Sequence, residues 1–321
     1  MALNHFQPPV SAVSTRWFTP PALPPAPPPR CFCFAGIALP LFSISLHSAR
    51  RSFSCSRVKE FVVYNPTTRE FKLIPTIDTV DCYKVLNIVF DPVKSDHYKL
   101  ICICWDRSES SVYRFSVYSS EIGVWKNTGE MEIEELICER GVLSNGGLHW
   151  ISHWNYSVCF DVDNECSGPH RYAIREPGKH ADVGYFGESG GSLFYIDVNE
   201  PQGMLFDVFE LELKRNCLYW SVKYQLDLAP LTTLYPQMLN ENCSLSFEER
   251  FEFYTTSFLV DEKKKKASLV ISLAGKIISY DINKLTILEL ANVEVDAYYG
   301  PRRGFYRWDW ASQHVKTLVC L

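Results

Sequence analysis

The chain has 321 residues, of which 46% are hydrophobic and 14% aromatic, and its formal net charge is −5 at pH 7. This composition is typical of a globular protein with a sizeable core, and 17 Tyr and 20 Phe favour β-strands. Residues 1–59 contain six Lys or Arg and no Asp or Glu, which leaves the remaining body with a net charge of −11. Because nucleic-acid binding depends on neutralising phosphates, so acidic a body excludes nucleic acid as an expected partner.

Residues 1–54 are predicted to be a disordered leader. Nine of the 19 prolines lie in residues 1–30, and the apolar run at 31–46 is interrupted by Pro40. That run is short for a membrane span, so no membrane association is expected. Two interpretations stay open. An acid-free segment with Ser and Arg is typical of a plastid or mitochondrial transit peptide, and the same residues are also consistent with an incorrectly assigned gene start.

The first folded element is expected at residues 60–75, EFVVYNPTTREFKLIP. Two β-favouring runs separated by Asn-Pro-Thr-Thr-Arg predict a hairpin, because β-branched and aromatic residues favour strands and Asn and Pro favour turns. The pattern returns twice downstream, each time with an aromatic residue seven positions before an apolar one. The three pairs are Tyr64 with Phe71, Tyr118 with Trp125, and Tyr280 with Ile287.

Four sets of four predicted strands follow, over residues 84–126, 141–174, 183–226 and 255–290. Four antiparallel strands in each 40–50 residues, with Gly and aromatic residues at the turns, predict an all-β β-propeller of five or six blades. The first blade has only the strands of residues 60–75 in evidence. We expect this blade to be incomplete: one inner strand is lost where the leader region is missing or replaced, and the C-terminal residues 314–321 supply the closing strand.

The residues that carry a family resemblance run in order from about Cys55 to the C-terminus. They read VVYNPTTREFKLIP, FDPVKSDHYKL, VYSSEIGVWKNTGE, GVLSNGGLHWIS and ISYDINKLTILEL. This pattern resembles the F-box-associated β-propeller domain of plant F-box proteins, a Kelch-like architecture. The resemblance places the domain at residues 55–321.

The resemblance implies a non-catalytic protein that recognises a substrate for an SCF-type E3 ubiquitin ligase. In that family an N-terminal F-box binds the SCF adaptor and the propeller presents a target protein. Residues 1–59 show no F-box pattern, so the adaptor is an expected partner only if an F-box lies upstream. The expected location is the cytoplasm, the nucleus or both. Two alternatives remain: a propeller enzyme acting on carbohydrate, and a truncated F-box relative without ligase function.

No catalytic, cofactor or metal site is predicted. His149 and His153 are four residues apart, but a strand places one in the core and one at a turn. The carboxylates of residues 130–135 and the lysines of 263–266 are expected at solvent-exposed turns, and the cysteines are expected as buried free thiols.

Partner binding is expected at loops rich in aromatic and Arg side chains, because these residue types dominate binding hot spots. Three loops have this composition. The candidate residues are Trp105, Arg107, Trp154, Tyr156, Tyr298, Arg302 and Arg303.

Overall fold

The computed structural model describes residues 37–38, 43–44, 60–65, 70–75, 77, 82–91, 94–105, 111–165, 169–174, 183–198, 204–214, 217–238, 253–261, 263, 265–273 and 275–292. The rest of the predicted leader and the predicted closing strand at 314–321 lie outside the described residues.

The described chain begins with two short antiparallel pairs. Strand β1 (Ile37–Ala38) pairs with β2 (Ser43–Ile44), and β3 (Glu60–Asn65) pairs with β4 (Glu70–Pro75). Strand β2 lies beside β3, so residues that precede the predicted hairpin are next to it in space. Phe61, Val63 and Ile74 point from the hairpin into the core, and Phe71 and Leu73 point to solvent.

Four sheets of four antiparallel strands make up the body, each with its strands in sequence order. Sheet 1 consists of β5 (Tyr83–Val89), β6 (Lys99–Trp105), β7 (Val112–Ser119) and β8 (Val124–Glu132). Sheet 2 consists of β9 (Leu136–Ser144), β10 (Gly147–Ser152), β11 (Tyr156–Asp161) and β12 (Pro169–Ala173).

Sheet 3 consists of β13 (Val183–Ser189), β14 (Ser192–Asp197), β15 (Leu205–Lys214) and β16 (Cys217–Asp227). Sheet 4 consists of β17 (Tyr254–Asp261), β18 (Lys266–Leu273), β19 (Lys276–Asp281) and β20 (Thr286–Asn292). The four predicted strand sets are therefore confirmed.

The predicted hairpin repeat is also confirmed, and the structure adds its register. The three aromatic–apolar pairs are directly opposite each other, as Tyr64 with Phe71, Tyr118 with Trp125, and Tyr280 with Ile287. Directly opposed residues share one face of a sheet, so the seven-residue spacing marks a cross-strand pair. In the second pair, the rings of Tyr118 and Trp125 lie 5.4 Å apart.

The first strands of the sheets lie side by side: β5 beside β9, β9 beside β13, and β13 beside β17. The last strands, such as β8 and β20, are the most exposed of their sheets. Each sheet thus has its first strand beside the first strands of its neighbours and its last strand at an outer edge. This is the arrangement of blades in a propeller. The prediction of an all-β β-propeller is confirmed.

Tight turns join the first two strands in sheets 2 and 3. Asn145 and Gly146 have φ values of 49° and 80°, and Gly190 and Gly191 have 62° and 89°. Two consecutive residues with positive φ match the right-handed twist of the strands in a two-residue hairpin. This explains Asn-Gly in the turn of sheet 2 and Gly-Gly in the turn of sheet 3.

One short helix was not predicted. Helix α1 (Ala229–Leu234), followed by a 3-10 turn at Pro236–Met238, connects sheet 3 to sheet 4 and buries Leu231 and Met238 in their shared core. Six residues are too few for a detectable helical period, so tertiary packing stabilises this helix. Among the described residues, no helix is long and apolar enough to cross a membrane.

Four cysteines are buried, as the sequence predicts: Cys82, Cys102, Cys104 and Cys159. Cys217 is exposed, contrary to that expectation. Buried cysteine packs as a small hydrophobe.

Candidate interaction surfaces

The seam between sheets 1 and 2 is built on aromatic packing. The ring of Phe115 lies 5.9 Å from the ring of Trp150 and stacks on Phe160 at 6.0 Å. All three side chains are buried, and they belong to one hydrophobic cluster that spans the two sheets. Aromatic pairs at such distances stabilise a core beyond their buried area.

At one end of this seam, three side chains form a row across sheet 1. Trp105 is opposite Tyr113, which is opposite Met131. The rings of Trp105 and Tyr113 are 5.6 Å apart. Tyr113 is buried, whereas Trp105 and Met131 are half-buried and pack against the seam cluster together with Tyr156 of sheet 2.

The connection from β8 to β9 crosses the seam directly above this row. On the sheet 1 side, the backbone N–H of Ile133 donates to the Ser111 carbonyl at 2.6 Å, and the N–H of Leu136 donates to Oη of Tyr113 at 3.3 Å. On the sheet 2 side, the Glu134 N–H donates to Oη of Tyr156 at 2.8 Å, and that hydroxyl lies 3.0 Å from the Glu134 carbonyl.

We call this end of the seam the seam surface. It comprises the half-buried side chains of Trp105, Met131 and Tyr156 and the exposed carboxylates of Glu132, Glu134 and Glu135. The guanidinium of Arg171 lies 5.0 Å from the centre of the Tyr156 ring, in cation–π geometry. The seam surface is therefore an aromatic patch crossed by an acidic connection. Among the described residues, Arg171 is the cation that lies over the Tyr156 ring.

The opposite end of the sheets carries a groove of about 450 Å³, lined by turns of sheets 1, 2 and 3. Three lysines at this end form ion pairs with carboxylates of sheet 2. Lys94 Nζ lies 2.7 Å from an Asp163 carboxylate oxygen, Lys99 Nζ lies 2.6 Å from Glu165, and Lys126 Nζ lies 3.5 Å from Glu165. These ion pairs join sheet 1 to sheet 2 at this end.

The structure brings two of the predicted loops together. Trp105 at the end of β6 and Tyr156 at the start of β11 pack against the same cluster. Trp154 is half-buried in the turn between β10 and β11, where its backbone N–H donates to Oγ of Ser152 at 3.1 Å. Arg107, Tyr298, Arg302 and Arg303 lie outside the described residues, so the third loop stays a prediction.

Sequence reasoning missed the contribution of the crossing connection. Residues 130–135, Glu-Met-Glu-Ile-Glu-Glu, were expected to be a solvated loop, and their carboxylates are exposed. Ile133, however, is fully buried, and Met131 packs on the seam. The signal was present in the two apolar residues that alternate with the acids.

The two histidines take the expected places. His149 is buried on β10, with its Nε2 3.6 Å from Sγ of Cys159, and His153 lies in the following turn. Burial lowers the pKa of His149 to about 4 and raises the pKa of the Cys159 thiol to about 12. A neutral imidazole beside a protonated thiol is a packing contact. Within the described part of the chain, no group of three or more His, Cys, Asp or Glu side chains is arranged to hold a metal ion.

The strand order and the side-by-side inner strands define the class as a β-propeller domain. Among known families, the F-box associated beta propeller domain matches residues 40–166, which are less than half of the chain. An F-box protein of Arabidopsis thaliana is 26% identical over 277 residues, which cover 81% of this chain and 64% of that protein's length. The resemblance to F-box-associated propellers is therefore confirmed, and the chain spans less than two thirds of this relative.

Solved structures with a similar fold have a lower sequence identity to this chain. A chain of the mitotic checkpoint complex has a TM-score of 0.37 and 8% identity, over 71% of this chain and 59% of that one. A hypothetical selenium-binding protein from Sulfolobus tokodaii has a TM-score of 0.38 and 12% identity, over 73% and 56%. Dipeptidyl peptidase 4 of Porphyromonas gingivalis has a TM-score of 0.37 and 13% identity, over 81% of this chain and 34% of that one. Scores at this level do not bear on the function of this chain.

Proposed function

We propose that this chain is a non-catalytic protein-interaction propeller that recognises a target protein for an SCF-type ubiquitin ligase. The observation that carries the proposal is the match of residues 40–166 to the F-box associated beta propeller domain, together with the F-box protein of Arabidopsis thaliana to which the chain is related. The partners of the proposal are a target protein and, through an F-box, the SCF adaptor.

The geometry supports binding in preference to chemistry. The seam surface presents aromatic side chains held by a rigid backbone, which is the usual composition of a protein interface. At the groove end, Lys94, Lys99 and Lys126 form ion pairs with carboxylates of sheet 2. These three lysines thus have a structural role already.

The ligase role is tested by binding to the purified SCF adaptor. The full 321-residue chain is mixed with the recombinant adaptor of Arabidopsis thaliana and analysed by size-exclusion chromatography, with the related F-box protein as the positive control. Co-elution is expected if this chain supplies an F-box function. Failure of this chain to co-elute while the control does would remove ligase membership for the chain as it stands.

The target-recognition role needs a separate measurement. Proteins cross-linked to the chain in plant extract are identified with the wild type and with a Trp105→Ala variant. A partner that is ubiquitinated by the reconstituted ligase and lost with the variant supports the proposal. A chain that cross-links nothing reproducibly, or that hydrolyses a carbohydrate substrate, contradicts it.

A further inference from the structure

We propose that the seam surface docks an arginine-containing basic segment of a partner protein. This inference rests on the proposed function and specifies where the propeller binds and what it recognises. Its carrying observations are the half-buried aromatic side chains, the exposed carboxylates on the connection whose backbone bonds to Tyr113 and Tyr156, and the cation–π contact of Arg171 with Tyr156.

The aromatic side chains give the surface its affinity for a guanidinium group. Trp105 and Tyr156 are half-buried, so each keeps part of its ring at the surface while the rest packs on the seam cluster. Arg171 lies 5.0 Å from the Tyr156 ring centre, so the chain's own guanidinium takes one face of that ring, and the partner's guanidinium is assigned to Trp105. A planar guanidinium stacks on aromatic faces more favourably than a compact ammonium does.

The charge of the crossing connection favours a basic partner. Glu132, Glu134 and Glu135 are exposed, and they follow one another along the segment that bridges the two sheets. The carboxylate of Glu130 lies 3.6 Å from the Arg114 guanidinium and that of Glu132 accepts from Oγ of Ser111 at 3.4 Å, so the charge available to a partner is that of Glu134 and Glu135. With a body of net charge −11, the long-range field also steers a basic segment towards the protein.

The backbone of the crossing connection is fixed before any partner arrives. The N–H of Ile133 is bonded to sheet 1, and both the N–H and the carbonyl of Glu134 are bonded to Tyr156 of sheet 2. The hydroxyl of Ser152 also donates to the Glu134 carbonyl at 2.6 Å. A preorganised surface loses little conformational entropy on binding, so its contacts translate into affinity.

The groove at the opposite end is the competing location, and its charges argue against it. Lys94 and Lys99 are each paired with a carboxylate of sheet 2. A charged ligand that bound these lysines or their carboxylates would have to displace the ion pairs.

Fluorescence anisotropy on the full chain tests the inference with three labelled ten-residue peptides. The peptides share one Gly/Ser sequence and carry three Arg, three Lys or three Glu. We expect the Arg peptide to bind more tightly than the Lys peptide, and the Glu peptide not to bind. The Glu134→Gln/Glu135→Gln variant is expected to weaken Arg-peptide binding by about fivefold or more.

The matched control removes the same charge from the other end of the sheets. Asp96 and Glu121 are both exposed on the groove side, so Asp96→Asn/Glu121→Gln is expected to change the affinity by less than about twofold. Trp105→Leu keeps an apolar side chain and is expected to abolish the preference for Arg over Lys. Thermal melts of each variant confirm folding.

Several outcomes overturn the inference. Equal affinity of the wild type for the Arg and Lys peptides, or equal losses in the two charge variants, would show non-specific attraction. Self-association that Glu134→Gln/Glu135→Gln abolishes would make a second copy the occupant. Tighter peptide binding after removal of residues 1–36 would make the basic N-terminal segment the occupant. Peptide docking without adaptor binding overturns the ligase role alone, and the reverse result overturns this inference alone.

Discussion

The indole Nε1 of Trp150 donates a hydrogen bond of 3.2 Å to Oδ1 of Asn87, across the seam between sheets 1 and 2. Both side chains are fully buried. The same oxygen accepts the backbone N–H of Gly141 at 3.1 Å. One amide on β5 therefore fastens the inner strand of sheet 1 to β9 and β10 of sheet 2. A Cβ on Gly141 would lie 2.3 Å from that oxygen, which explains the glycine.

Replacing Asn87 with Leu is expected to lower the free energy of unfolding by about 2–4 kcal/mol, because two buried N–H donors lose their acceptor. Urea denaturation of the full chain measures the change. Asn292→Ala, at an exposed position on β20, is the control and is expected to stay within about 0.5 kcal/mol. A loss below about 1 kcal/mol for Asn87→Leu would show that the seam does not depend on this oxygen.

A second seam bond allows a double-mutant cycle. Trp220 Nε1 donates to Oγ of Ser157 at 2.8 Å, between sheets 3 and 2. Ser157→Ala is expected to cost about 1–2 kcal/mol in the wild type, since it leaves a buried indole N–H without its acceptor. In a Trp220→Phe background the same change is expected to cost about 1 kcal/mol less. Equal costs in the two backgrounds would mean that the hydroxyl contributes independently of the indole.

The ion pairs between sheets 1 and 2 are expected to differ in strength. Glu165 has a side chain only 19% exposed and accepts from both Lys99 and Lys126, whereas Asp163 is 58% exposed. Glu165→Gln is expected to lower the free energy of unfolding by about 0.5–1 kcal/mol in low salt and by less in 1 M NaCl. Asp163→Asn is expected to have no measurable effect. The prediction fails if the two variants behave alike.

The free energy of unfolding is expected to decrease as the pH is lowered from 7, because of His149. Burial lowers the pKa of its imidazole from an ordinary value of 6.5 to about 4. Below pH 6.5 the unfolded chain takes up a proton that the folded protein takes up only near pH 4, so stability present at pH 7 is lost across this interval. The loss from this residue between pH 7 and pH 5 is about 2 kcal/mol.

The measurement compares variants by their pH dependence and not by their absolute stability. His149→Gln is expected to lose less stability between pH 7 and pH 5 than the wild type does. Asn292→Ala, at an exposed position on β20, is the control and is expected to keep the wild-type pH dependence. An unchanged dependence in His149→Gln would show that its imidazole is protonated in the folded protein at pH 5.

The strands were predictable because their signals are local. Alternating apolar side chains, Asn-Gly and Gly-Gly turns, and the seven-residue aromatic spacing each lie within about ten residues. Tyr118 and Trp125, for example, lie directly opposite each other on β7 and β8, on either side of the turn that their spacing indicates. Helix α1 escaped prediction for the opposite reason, because Leu231 is helical through its contact with the core of sheets 3 and 4.

The candidate site was predictable only in its residue types. Trp105 and Tyr156 were selected as aromatic loop residues, and nothing between them in the sequence shows that they share a surface. Tyr113 was not selected, because a buried strand tyrosine has no distinguishing pattern. Its role is visible only once its hydroxyl is seen to accept the N–H of Leu136.

The sequence by itself determined the repeating unit of this protein: four antiparallel strands and their turns, and a resemblance to F-box-associated propellers. Tertiary structure alone decided how the units meet, where Asn87 and Trp150 bond across 63 residues and the acidic connection at 132–135 closes over the seam. The physical reason is distance along the chain. Backbone preferences and cross-strand pairs act between near neighbours, whereas contacts between sheets depend on side-chain volumes and hydrogen-bond partners that come together only when the sheets pack.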